Sequence, residues 1–161
     1  MMKENRNKQL MLSAIEVCRA GIASGQSPFG AVIATVDGTI VAKSHNRVRM
    51  SCDVTAHAEV AAIREACEAL GAIDLAGHVI ATTCEPCPMC AAAIHWANLD
   101  EVIYGAGIED AARAGFRELR LHCDQIYREC GGGVRVTCGV LGRECRELFA
   151  QWKNGPNPKT Y

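Results

Sequence analysis

The sequence is poor in aromatic residues, has no long apolar run and has no excess of charge of one sign. Phe, Trp and Tyr make up only 5% of its 161 residues. No segment approaches the roughly 18 apolar residues of a membrane span, since Glu16 and Arg19 interrupt the first apolar stretch. The 17 basic and 18 acidic residues leave a formal net charge of −1, which disfavours binding of nucleic acid by charge alone.

A secretory signal is also absent from the sequence. We therefore expect a cytoplasmic protein that is not associated with membranes, whose ten cysteines do not form a disulfide framework. Most of these cysteines are predicted to be small buried hydrophobes. With 49% hydrophobic and 22% charged residues, the composition is that of a globular protein, and we expect residues 1–161 to form a single domain.

The spacing of apolar residues predicts alternating helices and strands. Helices are predicted from about residue 10 to Gly25, from an N-cap at Thr55 to Gly71, from Pro88 to about Ala97 and from Arg143 to Trp152, with mixed helical character over 109–129. Strands are predicted over 30–36 and 39–43, joined by an Asp-Gly turn, and over 78–83, 101–105 and 134–138. This order favours an α/β fold in three layers (α/β/α), with a central mixed sheet of about five strands.

Two short motifs stand at the starts of predicted helices, and together they suggest a metal site. Cys87 and Cys90 are three residues apart, so their sulfur atoms share one face of a first helical turn, whose dipole favours thiolates. His57 supplies a third ligand. Three protein ligands leave the fourth tetrahedral position open for water, which is typical of a catalytic zinc site rather than a structural one.

Glu59 follows the proposed histidine ligand by two residues. Side chains two apart on a helix point about 200° away from each other, so they meet only at a point beyond the helix N-terminus. We therefore expect the metal to lie between two helix N-termini, with Glu59 close to it. Zinc lowers the pKa of a water ligand toward about 7, and a nearby carboxylate can take its proton and return it to a leaving amine.

Other interpretations exist for the same residues. Cys87 and Cys90 alone are compatible with a thioredoxin-like redox pair, which assigns no role to His57 or Glu59. A zinc-binding interaction module without catalytic activity has no need of Glu59. The third clustered cysteine, Cys84, is predicted to pack at the end of a strand. The complete pattern, H-x-E followed after 26 residues by P-C-x-x-C, is the signature of zinc-dependent nucleobase deaminases.

The sequence also resembles the cytidine and deoxycytidylate deaminase superfamily, and within it the bacterial guanine deaminase branch. The resemblance lies in the segments 28–31 (PFGA), 45–46 (HN), 55–59 (TAHAE), 83–90 (TCEPCPMC), 93–97 (AIHWA) and 114–116 (AGF). The motifs up to Cys90 are shared by the whole superfamily and also look like those of tRNA adenosine deaminases. Trp96 and the carboxy-terminal Tyr161 resemble residues of the guanine branch in particular.

The resemblance implies zinc-dependent hydrolytic deamination of a nucleobase, with guanine converted to xanthine and ammonia. It implies that Asn46 donates a hydrogen bond to a carbonyl of the base and that Phe29 and Trp96 wall the pocket. It adds Ala58 to the residues that bind substrate, and it implies that Tyr161 closes the site. The residues alone leave an alternative for each role: Asn46 as a turn residue, Phe29 and Trp96 as core residues, and Tyr161 as part of a frayed terminus.

The remaining expectations concern the tail and the choice of substrate. The proline-containing tail, 154–161, is predicted to be non-helical and to act as a lid over the active site, exchanged within a homodimer as the resemblance implies. After Ala-Gly-Phe the guanine branch usually has an acidic pair, whereas this chain has Arg117 and Glu118. Alternative substrates are therefore cytosine, another aminoheterocycle, or an adenosine of tRNA. For RNA, the positive rim would come from Arg47, Arg49, Arg113, Arg117 and Arg120.

Overall fold

A computed structural model, which describes residues 2–161, confirms the α/β fold with a five-stranded mixed sheet. Its helices are α1 Met2–Ala23, α2 Val48–Ser51, α3 Ala58–Leu70, α4 Pro88–Trp96, α5 Ile108–Ala114, α6 Cys123–Glu129 and α7 Gly142–Lys153. Its strands are β1 Gly30–Thr35, β2 Ile40–His45, β3 His78–Cys84, β4 Glu101–Ala106 and β5 Arg135–Thr137. No helix within the described residues is both long enough and apolar enough to cross a membrane.

The strand order of the sheet is β2-β1-β3-β4-β5. The pairs β2/β1 and β1/β3 are antiparallel, whereas β3/β4 and β4/β5 are parallel. With this arrangement the start of β1 and the ends of β2, β3 and β4 all lie along one edge of the sheet. The register shows it directly, because Gly30 pairs with His45 at this edge and Cys84 pairs with Ala106.

Alternating side chains of the strands divide the core into two layers. Val32 and Ala34 pack in a cluster with residues of α1, α5 and α7, whereas Ala31 and Ile33 pack with residues of α3, α4 and α6. Successive side chains of a strand point to opposite faces, so a strand that is buried on both faces consists of small and apolar residues throughout. This arrangement confirms the three layers predicted from the sequence.

Four details differ from the prediction. Helix α1 begins at Met2, well before the predicted start near residue 10. Thr55 is not the N-cap of α3, because its N–H and its hydroxyl both donate to Asp53 Oδ1, at 2.8 and 2.7 Å, and the helix begins two residues later with His57 as N-cap. The short helix α2 was not predicted. The segment 109–129 contains two separate helices, α5 and α6, because Gly115 adopts a left-handed conformation (φ 107°) that ends α5.

Candidate active site

The sheet edge described above brings the predicted site residues together. Phe29 immediately precedes β1, and Asn46 immediately follows β2. Cys84 ends β3, and the loop after it leads to Cys87, which is the N-cap of α4. His57 is the N-cap of α3, so both predicted metal-binding motifs stand at helix starts, as expected.

The three predicted metal ligands form one compact donor group. Their donor atoms all lie within 4.8 Å of one another. His57 Nδ1 is 3.7 Å from Cys87 Sγ and 3.5 Å from Cys90 Sγ. Tetrahedral zinc with ordinary bond lengths places nitrogen and sulfur ligands about 3.5 Å apart. Two thiols and an imidazole at these separations fit zinc, and a redox pair alone does not explain the imidazole between them.

The electrostatics of the group favour deprotonation of one of its two thiols. The pKa of Cys87 is lowered to about 4, mainly by a hydrogen bond from the Cys90 thiol and, against the effect of burial, by His57. The same hydrogen bond, together with burial, raises the pKa of Cys90. The pKa of His57 is raised, because Cys87 and Glu59 outweigh the desolvation of its ring. A deprotonated thiol is the form of cysteine that binds metal.

Glu59 lies on the first turn of α3 and is buried, with 7% of its surface exposed. Burial raises its pKa from 4.5 to about 7, with an opposing effect from His57 and a further increase from Cys87. A carboxyl group with a pKa near neutrality can both accept and release a proton at physiological pH, which is what general acid–base catalysis requires.

Two adjoining cavities open beside these residues. The inner cavity, of about 20 Å³, is lined by Phe29, His57, Glu59, Cys84, Glu85, Cys87, Glu118 and Tyr161. The outer cavity, of about 260 Å³, is lined by Val54, His57, Cys87, Pro88, Met89, Phe116, Arg117, Glu118, Leu119 and Tyr161. The outer cavity leads past Glu118 and Tyr161, which belong to both walls, to the donor group.

Aromatic side chains line both cavities, Phe29 and Tyr161 the inner one, and Phe116 and Tyr161 the outer one. The ring of Phe29 packs edge-on against Phe116, with 4.9 Å between centroids, and the Tyr161 ring lies 5.9 Å from both Phe116 and His57. Asn46 is fully buried and donates from Nδ2 to Tyr161 Oη at 2.7 Å. Its Oδ1 accepts the N–H of Val48, so the orientation of the amide is determined by the start of α2.

Three of the predicted substrate contacts, Asn46, Trp96 and Ala58, line neither cavity. Asn46 is fully buried and contacts the cavity wall through its bond to Tyr161. Trp96 ends α4 with 80% of its surface exposed, and neither cavity of the described chain has it in its wall. The side chain of Ala58 is buried in the core layer beside α3 rather than in a cavity wall. Cys84 packs as predicted: it is buried, and its thiol donates to Gly107 O at 3.6 Å.

Glu85 and His122 were not predicted from the sequence as site residues. Glu85 lines the inner cavity and has a side chain only 1% exposed, in contact with His122 Nδ1 at 3.1 Å. A carboxylate two residues before a metal-binding cysteine was the only available signal, and His122 lies 37 residues further along the chain. Nothing in the spacing of the sequence connects the two.

The comparisons with known proteins agree with this geometry. Residues 4–106 match the cytidine and deoxycytidylate deaminase zinc-binding region, and the chain belongs to this family of zinc-binding deaminases. It is 42% identical over 154 residues to the guanine deaminase of Bacillus subtilis (strain 168), covering 96% of each protein. It is 48% identical over 128 residues to the tRNA-specific adenosine deaminase of Agrobacterium fabrum, covering 76% of this chain and 83% of that relative.

Among solved structures, the chain is similar to the guanine deaminase from Nitrosomonas europaea. The TM-score is 0.85 with 28% sequence identity, and the alignment covers 91% of this chain and 84% of that one. The predicted family and the predicted zinc cofactor are thereby confirmed. The relatives act on two kinds of substrate, a free purine base and an adenosine of tRNA.

Proposed function

We propose that this protein is a hydrolase that converts guanine and water to xanthine and ammonia. The observation that carries the choice of guanine is the position of Glu118, whose side chain lines both cavities beside His57 and Cys87. Burial raises the pKa of this carboxyl group, as does the negative charge of Cys87, and His57 opposes both effects. Glu118 is thus turned inward despite the departure from the acidic pair of the guanine branch.

A carboxylate in this position suits the hydrogen-bonding pattern of guanine. Next to its amino-bearing carbon, guanine has a ring N–H donor, whereas adenine and cytosine have a ring nitrogen with a lone pair. The Glu118 carboxylate can accept a hydrogen bond from the ring N–H of guanine. It is repelled by the ring-nitrogen lone pair of adenine or cytosine, because both groups are acceptors. Asn46 Nδ2 can donate to the ring carbonyl, which guanine has and adenine lacks.

The residues of the chain account for the chemistry. Zinc, which His57, Cys87 and Cys90 would hold, supplies a Lewis acid that lowers the pKa of a water molecule. Glu59 takes a proton from the attacking water and delivers it to the departing amino group. A carbon–oxygen bond forms at the amino-bearing carbon, the carbon–nitrogen bond breaks, and ammonia leaves. The second proton of the water moves to the adjacent ring nitrogen that carries a lone pair in guanine, which becomes an N–H of xanthine. The pKa of about 7 keeps Glu59 able to perform both transfers near neutral pH.

The tail supports a site that is closed during the reaction. Arg49 Nη1 donates to Asn157 O at 2.9 Å and to Gly25 O at 3.2 Å, which holds the tail against the end of α1. From there the chain reaches the cavity wall with Tyr161. We therefore assign residues 154–161 to a lid that excludes water from the base, and excluded water strengthens every polar contact within the site.

The positions of the arginines favour a free base over RNA. Arg47 pairs with Glu65, Arg113 pairs with Asp110, and Arg49 is bonded to backbone carbonyls. Of the five arginines considered for a phosphate-binding rim, Arg117 is the one that lines the outer cavity within residues 2–161. An RNA substrate needs several free cations around the entrance, because phosphate contacts supply most of the affinity.

Trp96 supports an additional element of the proposal, a homodimer. Its indole is 80% exposed on α4, outside the cavities of its own chain, and Ile73 is 83% exposed. We propose that a second copy of the chain covers this surface, as the resemblance to the guanine branch implies. By light scattering we expect the wild-type protein to be a dimer and Trp96→Lys to be a monomer. A monomeric wild-type protein would contradict it.

The substrate is tested by ammonia release from guanine, guanosine, cytosine, adenine and a tRNA anticodon stem. We expect the highest kcat/KM for guanine, with guanosine poorer because the lid leaves little room for a sugar. Glu118→Gln should reduce kcat/KM for guanine by about 10- to 100-fold, the value of a hydrogen bond to a charged group. The matched control is Glu147→Gln on the exposed face of α7, which should have no effect. A higher kcat/KM for cytosine or the tRNA stem would overturn the proposal.

A further inference from the structure

Glu85 connects three separate segments of the chain through one buried carboxylate. Its Oε1 accepts the backbone N–H of Cys123 at 3.0 Å, and its Oε2 accepts that of Ile108 at 3.4 Å. Both oxygens also lie near His122 Nδ1, at 3.1 and 3.2 Å. The backbone N–H of Glu85 itself donates to Ala106 O at 2.8 Å, which extends the pairing of β3 with β4.

These contacts lie at the two ends of a segment that forms part of the cavity wall. Ile108 begins α5, and Cys123 begins α6. The 115–122 loop between these helices carries Phe116 and Glu118, which line the outer cavity. Glu85 stands two residues before Cys87, so the same carboxylate is attached to the loop that carries a metal ligand.

From this arrangement we propose that Glu85 is a positioning residue, which holds the 115–122 loop against the metal-ligand loop and so determines where Glu118 meets the substrate. The proposal rests on the proposed function for the role of Glu118. The attachment of the loop itself is independent of the substrate. Nothing in the chemistry of deamination requires a second carboxylate at this place, and the side chain of Glu85 is directed to backbone amides rather than to the donor group.

The chemistry of the contacts explains why a carboxylate is needed. All three partners of Glu85 are N–H donors, and a carboxylate offers acceptors on both oxygens. A glutamine of the same size has one acceptor and one donor, so its amide nitrogen would face an N–H group and leave it unsatisfied. An unsatisfied buried N–H is destabilising, and this loss would release one end of the loop.

The chain offers a matched control in Glu101, another carboxylate whose side chain is 1% exposed. Glu101 accepts from Thr137 Oγ1 at 2.7 Å and pairs with Lys3 and Arg6, each at 3.0 Å. Glu101 is the first residue of β4, whereas Ala106, which pairs with Cys84 next to Glu85, is the last. Glu101→Gln therefore makes the same chemical change in a buried site far from the loop.

The test is backbone hydrogen exchange in the zinc-loaded protein, followed over residues 107–123. For Glu85→Gln we expect exchange in the 115–122 loop to accelerate by about tenfold or more, corresponding to a loss of 1.4 kcal/mol or more of local stability. Glu101→Gln should leave this loop unchanged. Equal exchange in wild type and Glu85→Gln, or equal acceleration in Glu101→Gln, would overturn the proposal.

A second pair of variants keeps the test decisive if Glu85→Gln does not fold. His122→Ala removes one of the donors to Glu85, whereas His122→Asn places an amide N–H close to the position of Nδ1. We expect faster exchange of the loop in His122→Ala and restoration toward wild type in His122→Asn. Identical exchange in both variants and wild type would contradict the role of Glu85 in holding the 115–122 loop.

Steady-state kinetics with guanine separates positioning from general destabilisation. A displaced Glu118 weakens contacts made in the ground state and transition state alike, so KM should rise by about tenfold in Glu85→Gln with little change in kcat. A fall in kcat at constant KM would contradict the positioning role. If the wild-type protein does not deaminate guanine, the proposed function fails, and the exchange measurements still decide the role of Glu85.

Discussion

Asn46 Nδ2 and Tyr161 Oη are joined by a hydrogen bond of 2.7 Å between residues 115 positions apart in the chain. The resemblance to guanine deaminases assigns this same amide to the carbonyl of the base. The inner cavity beside the pair measures about 20 Å³, which is room for about one water molecule. If the base binds Asn46 as proposed, Tyr161 holds in this conformation the hydrogen bond that the base needs, and Tyr161 has to move before the base can reach Asn46.

Removal of the tyrosine hydroxyl tests this competition. Tyr161→Phe keeps the ring but frees Asn46, so binding of guanine no longer requires the bond to be broken. We expect KM for guanine to fall by about 2- to 10-fold, the value of one neutral hydrogen bond. Tyr127→Phe is the control, because its hydroxyl donates to Ala91 O and its side chain lines neither cavity. An unchanged or increased KM in Tyr161→Phe would show that the two groups do not compete.

Removal of the whole tail tests the lid. A chain ending at Asn154 keeps all of α7 but loses Tyr161 and the contact of Arg49 with Asn157. Without the lid, water enters the inner cavity and the burial that raises the pKa of Glu59 is reduced. We expect kcat to fall by at least about tenfold, with a much smaller effect on thermal unfolding. Unchanged kinetics would make the tail a frayed terminus, as one interpretation of the sequence suggests.

The assignment of the metal ligands is tested with three cysteine variants. Cys87→Ala and Cys90→Ala each remove a donor of the three-membered group and should lose zinc after dialysis. Cys84→Ala should retain one zinc per chain, because the Cys84 thiol is bonded to Gly107 O and is not part of the group formed by His57, Cys87 and Cys90. Metal analysis of the purified proteins decides the assignment, which is wrong if Cys84→Ala loses zinc and Cys87→Ala keeps it.

The ion pair between His122 and Glu85 predicts how stability depends on pH. The hydrogen bond to Glu85 raises the pKa of His122 above 6.5, its charge adds to this, and Glu109 and Asp124 contribute further, against some desolvation. The contribution to the free energy of unfolding is therefore complete below the unfolded pKa and is lost as pH rises through the folded pKa. Wild type should exceed His122→Asn in stability by more at about pH 6 than at about pH 9. A constant difference across this range contradicts the assignment.

Much of the catalytic centre was predictable because it depends on local spacing. Cys87 and Cys90 lie on one helical turn, and His57 and Glu59 lie at the start of another, so each motif has a defined geometry before the chain folds. Strand alternation and the order of elements then predicted the layers. The division of residues 109–129 into two helices was not predicted, because it depends on the left-handed conformation of a single glycine, Gly115.

The residues that were missed or misplaced depend on contacts between distant segments. Thr55 has the right residue type for an N-cap, but Asp53 captures both of its donors. Glu85 meets His122 only because β3 and β4 end at the same sheet edge. Trp96 was expected in the pocket wall from resemblance alone, and in this chain it lies at the exposed end of α4, a helix whose bounds match the prediction.

The central claim is that Glu59 transfers the proton during hydrolytic deamination at the zinc site. The most direct measurement is ammonia release from guanine by zinc-loaded wild type and Glu59→Gln, together with the zinc content and unfolding curve of both. We expect Glu59→Gln to keep its zinc and its fold but to lose at least about 10²–10⁴-fold in kcat, because an amide cannot carry the proton. Activity of Glu59→Gln within about tenfold of wild type, with zinc retained, would contradict it.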